Sequence, residues 1–222
     1  YEEGLENENV EYFYKKKKEE LPTGTCLILI TPDSERTMCT FLGTAGKINE
    51  NDVNSDVIKR SQIIFLEGYL WDEGSPKKAF DKAINNANKV AMSLSDLFCV
   101  DRHKNNFLEL VKNKLDITFA NEQEISSLIE AKDFNEVINF SKQLNKMIVV
   151  TRGEKGSVAI QGETVVECGI KKNLKIVDLT GAGDLFAAGF LHGYINNLSI
   201  KESLEKGTEL SSKIIQQIGA RI

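Results

Sequence analysis

Asp178-Leu179-Thr180-Gly181-Ala182-Gly183-Asp184, running on into Leu185-Phe186-Ala187-Ala188-Gly189-Phe190-Leu191, decides how the rest of this 222-residue chain is read. An apolar, strand-like run, Lys175-Ile176-Val177-Asp178, gives way to small bendable residues, then to an acid, then to a helical stretch. Glycine permits positive φ and close approach of backbone. A helix that starts there exposes its first N–H groups and the positive end of its dipole. Together they make an anion hole suited to the charge that develops on transferred phosphoryl oxygens. Asp184 sits beside that hole. A carboxylate of pKa about 4 is too weak to deprotonate a free hydroxyl in advance, but it can accept the proton as the O–P bond forms. The plainer reading, a tight turn with a first-turn acid, fits the same residues. Two familiar glycine motifs are excluded. The P-loop ends in Gly-Lys-Ser/Thr, and the dinucleotide fingerprint needs a third glycine where Phe186 stands.

Working outward, strand patterns alternate with helical ones. Residues 63–68, 90–94, 117–120, 147–151 and 175–178 read as strands, with a hairpin at 158–166. Helices are expected over 49–60, 79–88, 107–111 and 134–145, and two more close the chain. This order predicts a three-layer αβα sandwich on a mostly parallel sheet. Ahead of it, residues 10–14, 25–31 and 36–41 read as three strands of a small antiparallel sheet with one wet face. The expected division is therefore 1–42, carrying these strands, and 43–222, carrying the core.

Chemistry in such a sheet gathers at the carboxyl ends of the strands. The residues there are Glu67-Gly68, Ser93 to Asp96, Asn121 to Glu124, Thr151-Arg152-Gly153 and Asp178 to Gly181. Asn121 and Glu124 lie three apart at a helix start and face the same way. They suit either water-mediated organisation of a magnesium ion or an N-terminal capping box. Thr151-Arg152-Gly153-Glu154-Lys155-Gly156 suits either contact with a nucleotide or a plain β-turn. Asp96 and Asp101 are weaker metal candidates. Arg36, in the turn of the small sheet, is a candidate substrate contact. Trp71 and Tyr69 are expected in core or rim packing, His192 packed in its helix and His103 solvated.

A net charge of −5 spread over both signs argues against a general nucleic-acid binder. Lys15 to Lys18 runs straight into Glu19-Glu20 and reads as a solvated segment. No window has the length of a membrane span. Cys26, Cys39, Cys99 and Cys168 lack metal-ligand spacing and sit among apolar residues, so they read as reduced core thiols of a cytoplasmic protein. Tyr1-Glu2-Glu3-Gly4-Leu5 reads like the end of a helix, which gives the expectation that further chain precedes it.

The Asp178–Asp184 segment, with Asn121-Glu122-Gln123-Glu124 and Thr151 to Gly156 in the same order, resembles the PfkB, or ribokinase-like, family of carbohydrate and nucleoside kinases. Thr25 to Asp33 followed by Arg36-Thr37-Met38, and Leu66 to Trp71, look most like its adenosine-kinase-like branch. The resemblance implies a ribokinase fold with a small β lid over the acceptor. It implies ATP and Mg²⁺ as cofactors, and a nucleoside (adenosine first) or a sugar such as ribose or fructose as acceptor. Asp184 would be the catalytic base, with Gly181, Ala182 and Gly183 lining the anion hole. Asn121 and Glu124 would organise Mg²⁺ and the phosphates. Thr151, Arg152, Gly153 and Gly156 would border the nucleotide. Asp178 and Thr180 match positions near a monovalent-cation (K⁺) site; Leu179 departs from the small or hydroxyl residue common there. The family's acceptor-binding Asp and Gly-Gly motif have no counterpart in residues 1–20. A truncated, non-catalytic nucleotide-binding module is therefore the reading from another class. Homodimerisation through the lid edges is a further expectation.

Overall fold

The computed structural model describes residues 2–14 and 20–222; the lysine run at 15–18 lies outside them. A short helix α1 (Glu2–Asn7) precedes a two-stranded antiparallel sheet of β1 (Thr25–Ile30) and β2 (Arg36–Phe41). Helix α2 (Ser55–Arg60) leads into β3 (Ile64–Glu67), α3 (Ser75–Asn86), β4 (Val90–Ser93), α4 (Leu97–Asn113) and β5 (Ile117–Asn121). Then come α5 (Glu122–Ile129), α6 (Phe134–Lys142), β6 (Met147–Thr151), β7 (Ser157–Gln161) and β8 (Thr164–Cys168). Two helices close the chain, α7 (Ala182–Ile195) and α8 (Ile200–Ile214).

The main sheet runs β3-β4-β5-β6-β7-β8, parallel as far as β6 and antiparallel beyond it. Both faces are buried, so its central strands read as continuous apolar runs whose side chains alternate between two cores. Met92, Ile148 and Val150 pack with Phe80, Phe107, Ile125 and Val137 of α3 to α6. Ala91, Ile117, Phe119, Met147 and Val149 pack with Phe186, Phe190 and Leu204 of α7 and α8. The result is three αβα layers. Among the described residues, no helix is long and apolar enough to cross a membrane.

Several expectations need correcting. Residues 10–14 join no strand, so the small sheet has two strands rather than three. Residues 175–178 are also outside any strand. Their backbone instead meets the residue that follows α8, where Val177 N–H donates to Ile215 O at 2.8 Å, and no strand among the described residues pairs with them. The helix expected over 49–60 breaks at Val53-Asn54, where the Asn54 side chain accepts from Asp56 N–H and Val57 N–H and starts α2 afresh. Cys26 and Cys39 are exposed on the small sheet instead of buried; Cys168 is buried and all four cysteines are free. The histidines are reversed: His103 is 6% exposed and His192 is exposed. Their neighbours explain it. His103 packs edge-on to Trp71 at 4.6 Å, whereas His192 lies on the outer side of α7.

Candidate active site

Asp178 is buried, and its carboxylate is fully engaged. Oδ1 accepts from Thr180 N–H at 2.8 Å and from Thr180 Oγ1 at 2.6 Å, and Oδ2 accepts from Gly219 N–H at 2.9 Å. Burial works to raise its pKa, but these hydrogen bonds, with the nearby charge of Arg36, hold the carboxyl below its usual range. The pinned loop then turns through Gly181, which sits at φ +77° as N-cap of α7. An L side chain at that φ is strained, and its Cβ would also lie 3.0 Å from Ala220 Cβ. Gly181 offers no side chain to cap the helix; Ala182 N–H donates to Leu179 O at 3.2 Å, and the 14-residue helix opens at Gly183 and Asp184, both exposed.

Opposite this helix start stands a residue whose role the sequence did not single out. Glu67 ends β3 half-buried. Burial pushes its carboxyl up to about 7, and the negative charge of Asp184 adds to the rise. Ser95 Oγ donates to Glu67 Oε2 at 3.4 Å and works the other way. Two carboxylates thus share one field at the carboxyl end of the sheet, a pairing visible in the sequence only as an acid closing the apolar run Ile63 to Leu66. Gly68 follows, in a space where a Cβ would lie 2.8 Å from Ser93 O. Trp71 is in the core, packed on Phe107, while Tyr69 lies on the exposed rim.

The capping box at Asn121 and Glu124 is complete. The Asn121 side chain accepts from Glu124 N–H at 2.8 Å, and Glu124 Oε2 accepts from Asn121 N–H at 2.9 Å. Asn121 Nδ2 also donates to Glu124 Oε1 at 2.6 Å. Burial raises the Glu124 carboxyl; the Asn121 backbone bond opposes this and Asp96 reinforces it. Asp96 itself is the N-cap of α4, accepting from Cys99 N–H at 2.8 Å, and Asp101 accepts from Ser127 Oγ. Among the described residues no group of three or more His, Cys, Asp or Glu is arranged to hold a metal ion.

Thr151 is the register partner of Asn121, so the two loops leave the sheet side by side. Gly153 to Lys155 make a single tight turn, closed by Arg152 N–H donating to Gly156 O at 2.8 Å. Gly156 has φ +85°, and any Cβ there would collide with Cys168 O. Cys168 and Gly169 in turn line a groove of about 550 Å³ with Ile170, Lys171, Lys201 and Thr208. The Arg152 side chain points away from this groove's lining, to Glu122 and the Phe134 ring. Arg36 is exposed at the start of β2 on the Asp178 side, where Ser34 Oγ donates to Ile176 O at 3.2 Å and holds the small sheet's turn against the approach to Gly181.

Comparison with known proteins bears on the family and the fold. An adenosine kinase from Dictyostelium discoideum is 28% identical over 90% of this chain, which spans 64% of that relative's length. The solved structure of an adenosine kinase from Sinorhizobium meliloti superposes with TM-score 0.95 at 38% identity, covering 100% of this chain and 69% of the other. A probable sugar kinase from Rhizobium etli superposes with TM-score 0.92 at 37% identity over 99% of this chain and 68% of the other. The fold is ribokinase-like. The sequence matches the description pfkB family carbohydrate kinase across residues 1–222, and the chain belongs to that family.

Proposed function

We propose that the chain belongs to an ATP-dependent kinase that moves the γ-phosphate to a primary alcohol of a nucleoside, adenosine first. The observation that carries the reading is the exposed Asp184 in the first turn of α7, behind the uncapped helix start at Gly181. The acceptor hydroxyl attacks the γ-phosphate in line, Asp184 takes its proton as the bond forms, and the N–H groups around Gly181, Ala182 and Gly183 offset the charge on the phosphoryl oxygens. The turn Thr151–Gly156 borders the nucleotide, whose base has room in the groove beyond Cys168. Glu124 is buried and doubly bonded to Asn121, which suits holding magnesium-bound waters rather than the ion directly. When bound, Mg²⁺ would neutralise charge between the terminal phosphates. Arg36 faces the acceptor side. Asp178 and Thr180 pin the loop whether or not K⁺ binds near them. The exposed edges of the small sheet, on which Leu27, Leu29 and Phe41 are exposed, are where a second copy would dock.

Similarity to a probable sugar kinase keeps ribose and fructose in the test. Turnover of ATP/Mg²⁺ is to be measured against adenosine, inosine, ribose and fructose. Adenosine is expected to be the best acceptor, and Asp184→Asn is expected to lower kcat about 10²–10⁴-fold. Near-full turnover by Asp184→Asn would remove Asp184 as the base. Absence of turnover with all four acceptors would leave the non-catalytic nucleotide-binding module.

A further inference from the structure

Arg152 lies in the segment that borders the nucleotide, yet its guanidinium is spent elsewhere. Nε donates to Glu122 Oε2 at 2.9 Å and a terminal nitrogen reaches Glu122 Oε1 at 3.5 Å, one short charge-assisted bond and one at the outer limit of hydrogen bonding. The guanidinium carbon lies 3.5 Å above the centre of the Phe134 ring, a stacked cation–π contact. The Arg152 side chain is 16% exposed and that of Glu122 28%, so solvent screens the pair less than an open surface bridge. Lys155 Nζ adds a third bond to Glu122 Oε1 at 3.4 Å. Led by the Arg152 hydrogen bond, these contacts hold the Glu122 carboxyl below its usual range.

The position of each partner matters more than the strength of the contact. Glu122 is the first residue of α5, directly after Asn121 and two before Glu124. Phe134 is the first residue of α6. Arg152 opens the turn that Gly153 and Gly156 close. One side chain therefore ties together three helix or turn starts, all at the same edge of the sheet. We propose that Arg152 is a positioning residue. Clasped by Glu122 and Phe134, it locks the glycine turn to the Asn121–Glu124 box, so the surface that meets the nucleotide and the carboxylate that meets its magnesium keep a fixed spacing. This rests on the kinase reading for its ligand but not for its mechanics.

Two readouts separate those parts. In the unliganded full chain, amide hydrogen exchange is measured for wild type, Arg152→Gln, Glu122→Gln, the double variant and Arg152→Lys. The single Gln variants are expected to speed exchange at 121–124 and at 153–156 together, with the double variant no faster than either. Arg152→Lys, which keeps charge but loses fork and stack, should fall near Arg152→Gln. Equilibrium binding of Mg²⁺ with a non-hydrolysable ATP analogue is then expected to weaken about tenfold in the same variants, while affinity for magnesium-free ADP falls less. Faster exchange in only one of the two segments, or additive effects in the double variant, would overturn the clasp. Coupled exchange without any nucleotide binding by wild type would uphold the clasp and overturn the kinase reading. Unchanged exchange with direct loss of ADP affinity would make Arg152 a ligand contact instead.

Discussion

Glu67 shows how much a single position can depend on what faces it. Its carboxyl ordinarily titrates near 4.5 and here is pushed to about 7. The folded chain therefore holds a proton there that the unfolded chain has released, and stability falls as pH rises from about 4.5 to 7. Glu67→Gln removes that loss. Its thermal midpoint should match wild type at pH 4 and exceed it at pH 8 by an amount worth about 1–2 kcal/mol, after allowing for solvent screening. A calorimetric scan at both pH values checks it, and equal midpoints at pH 8 would mean that the pocket around Glu67 is wetter than its burial suggests. Asp184 was legible from its own neighbours because a glycine turn and a helix start are local facts. Glu67 was not, because its partner is 117 positions away in a sequence that does not say which strand ends face each other.

Helices α7 and α8 meet through absent side chains. A Cβ at Gly189 would lie 2.6 Å from Lys206 O, one at Gly207 would lie 2.7 Å from Phe186 O, and one at Gly193 would lie 2.8 Å from Ser203 Oγ. An exposed Gly→Ala change in a helix gains about 1 kcal/mol. Here the overpacking costs more, so Gly189→Ala should lose about 1–3 kcal/mol in urea unfolding. It should also weaken binding at the helix start, since α7 carries Gly181 to Asp184 at its head. A stabilised Gly189→Ala would show that the helices can part freely. The small-residue run Ala187-Ala188-Gly189 was readable in the sequence; the surface it meets was not. Patterns one strand or one helix long were the legible part of the fold. Lys175–Asp178 has the residues of a strand and fails to be one for want of a neighbour. Asp96 stood in the sequence as a weaker metal candidate, yet it caps the 17-residue α4, because a cap depends on what the following backbone does.

At the scale of the molecule, two titrating groups at different depths oppose each other. His103 is buried against Trp71 and Phe107, and burial holds its pKa below 6.5. Its contribution is present above that pH and is lost as pH falls through the lower folded value. Below pH 6.5 it therefore loses stability in the direction in which Glu67 gains it, and in wild type the two slopes oppose each other. His103→Phe should expose the Glu67 slope, with stability falling as pH rises, while Glu67→Gln should expose the opposite slope. Parallel slopes in the two variants would rule out the compensation. The glycine crossing of α7 and α8 also has a bearing on descent. A helix that fits only against one partner backbone cannot be borrowed alone from a relative; α7 and α8 form the smallest piece that can be transplanted, and a chimaera cut between them should fold worse than either parent.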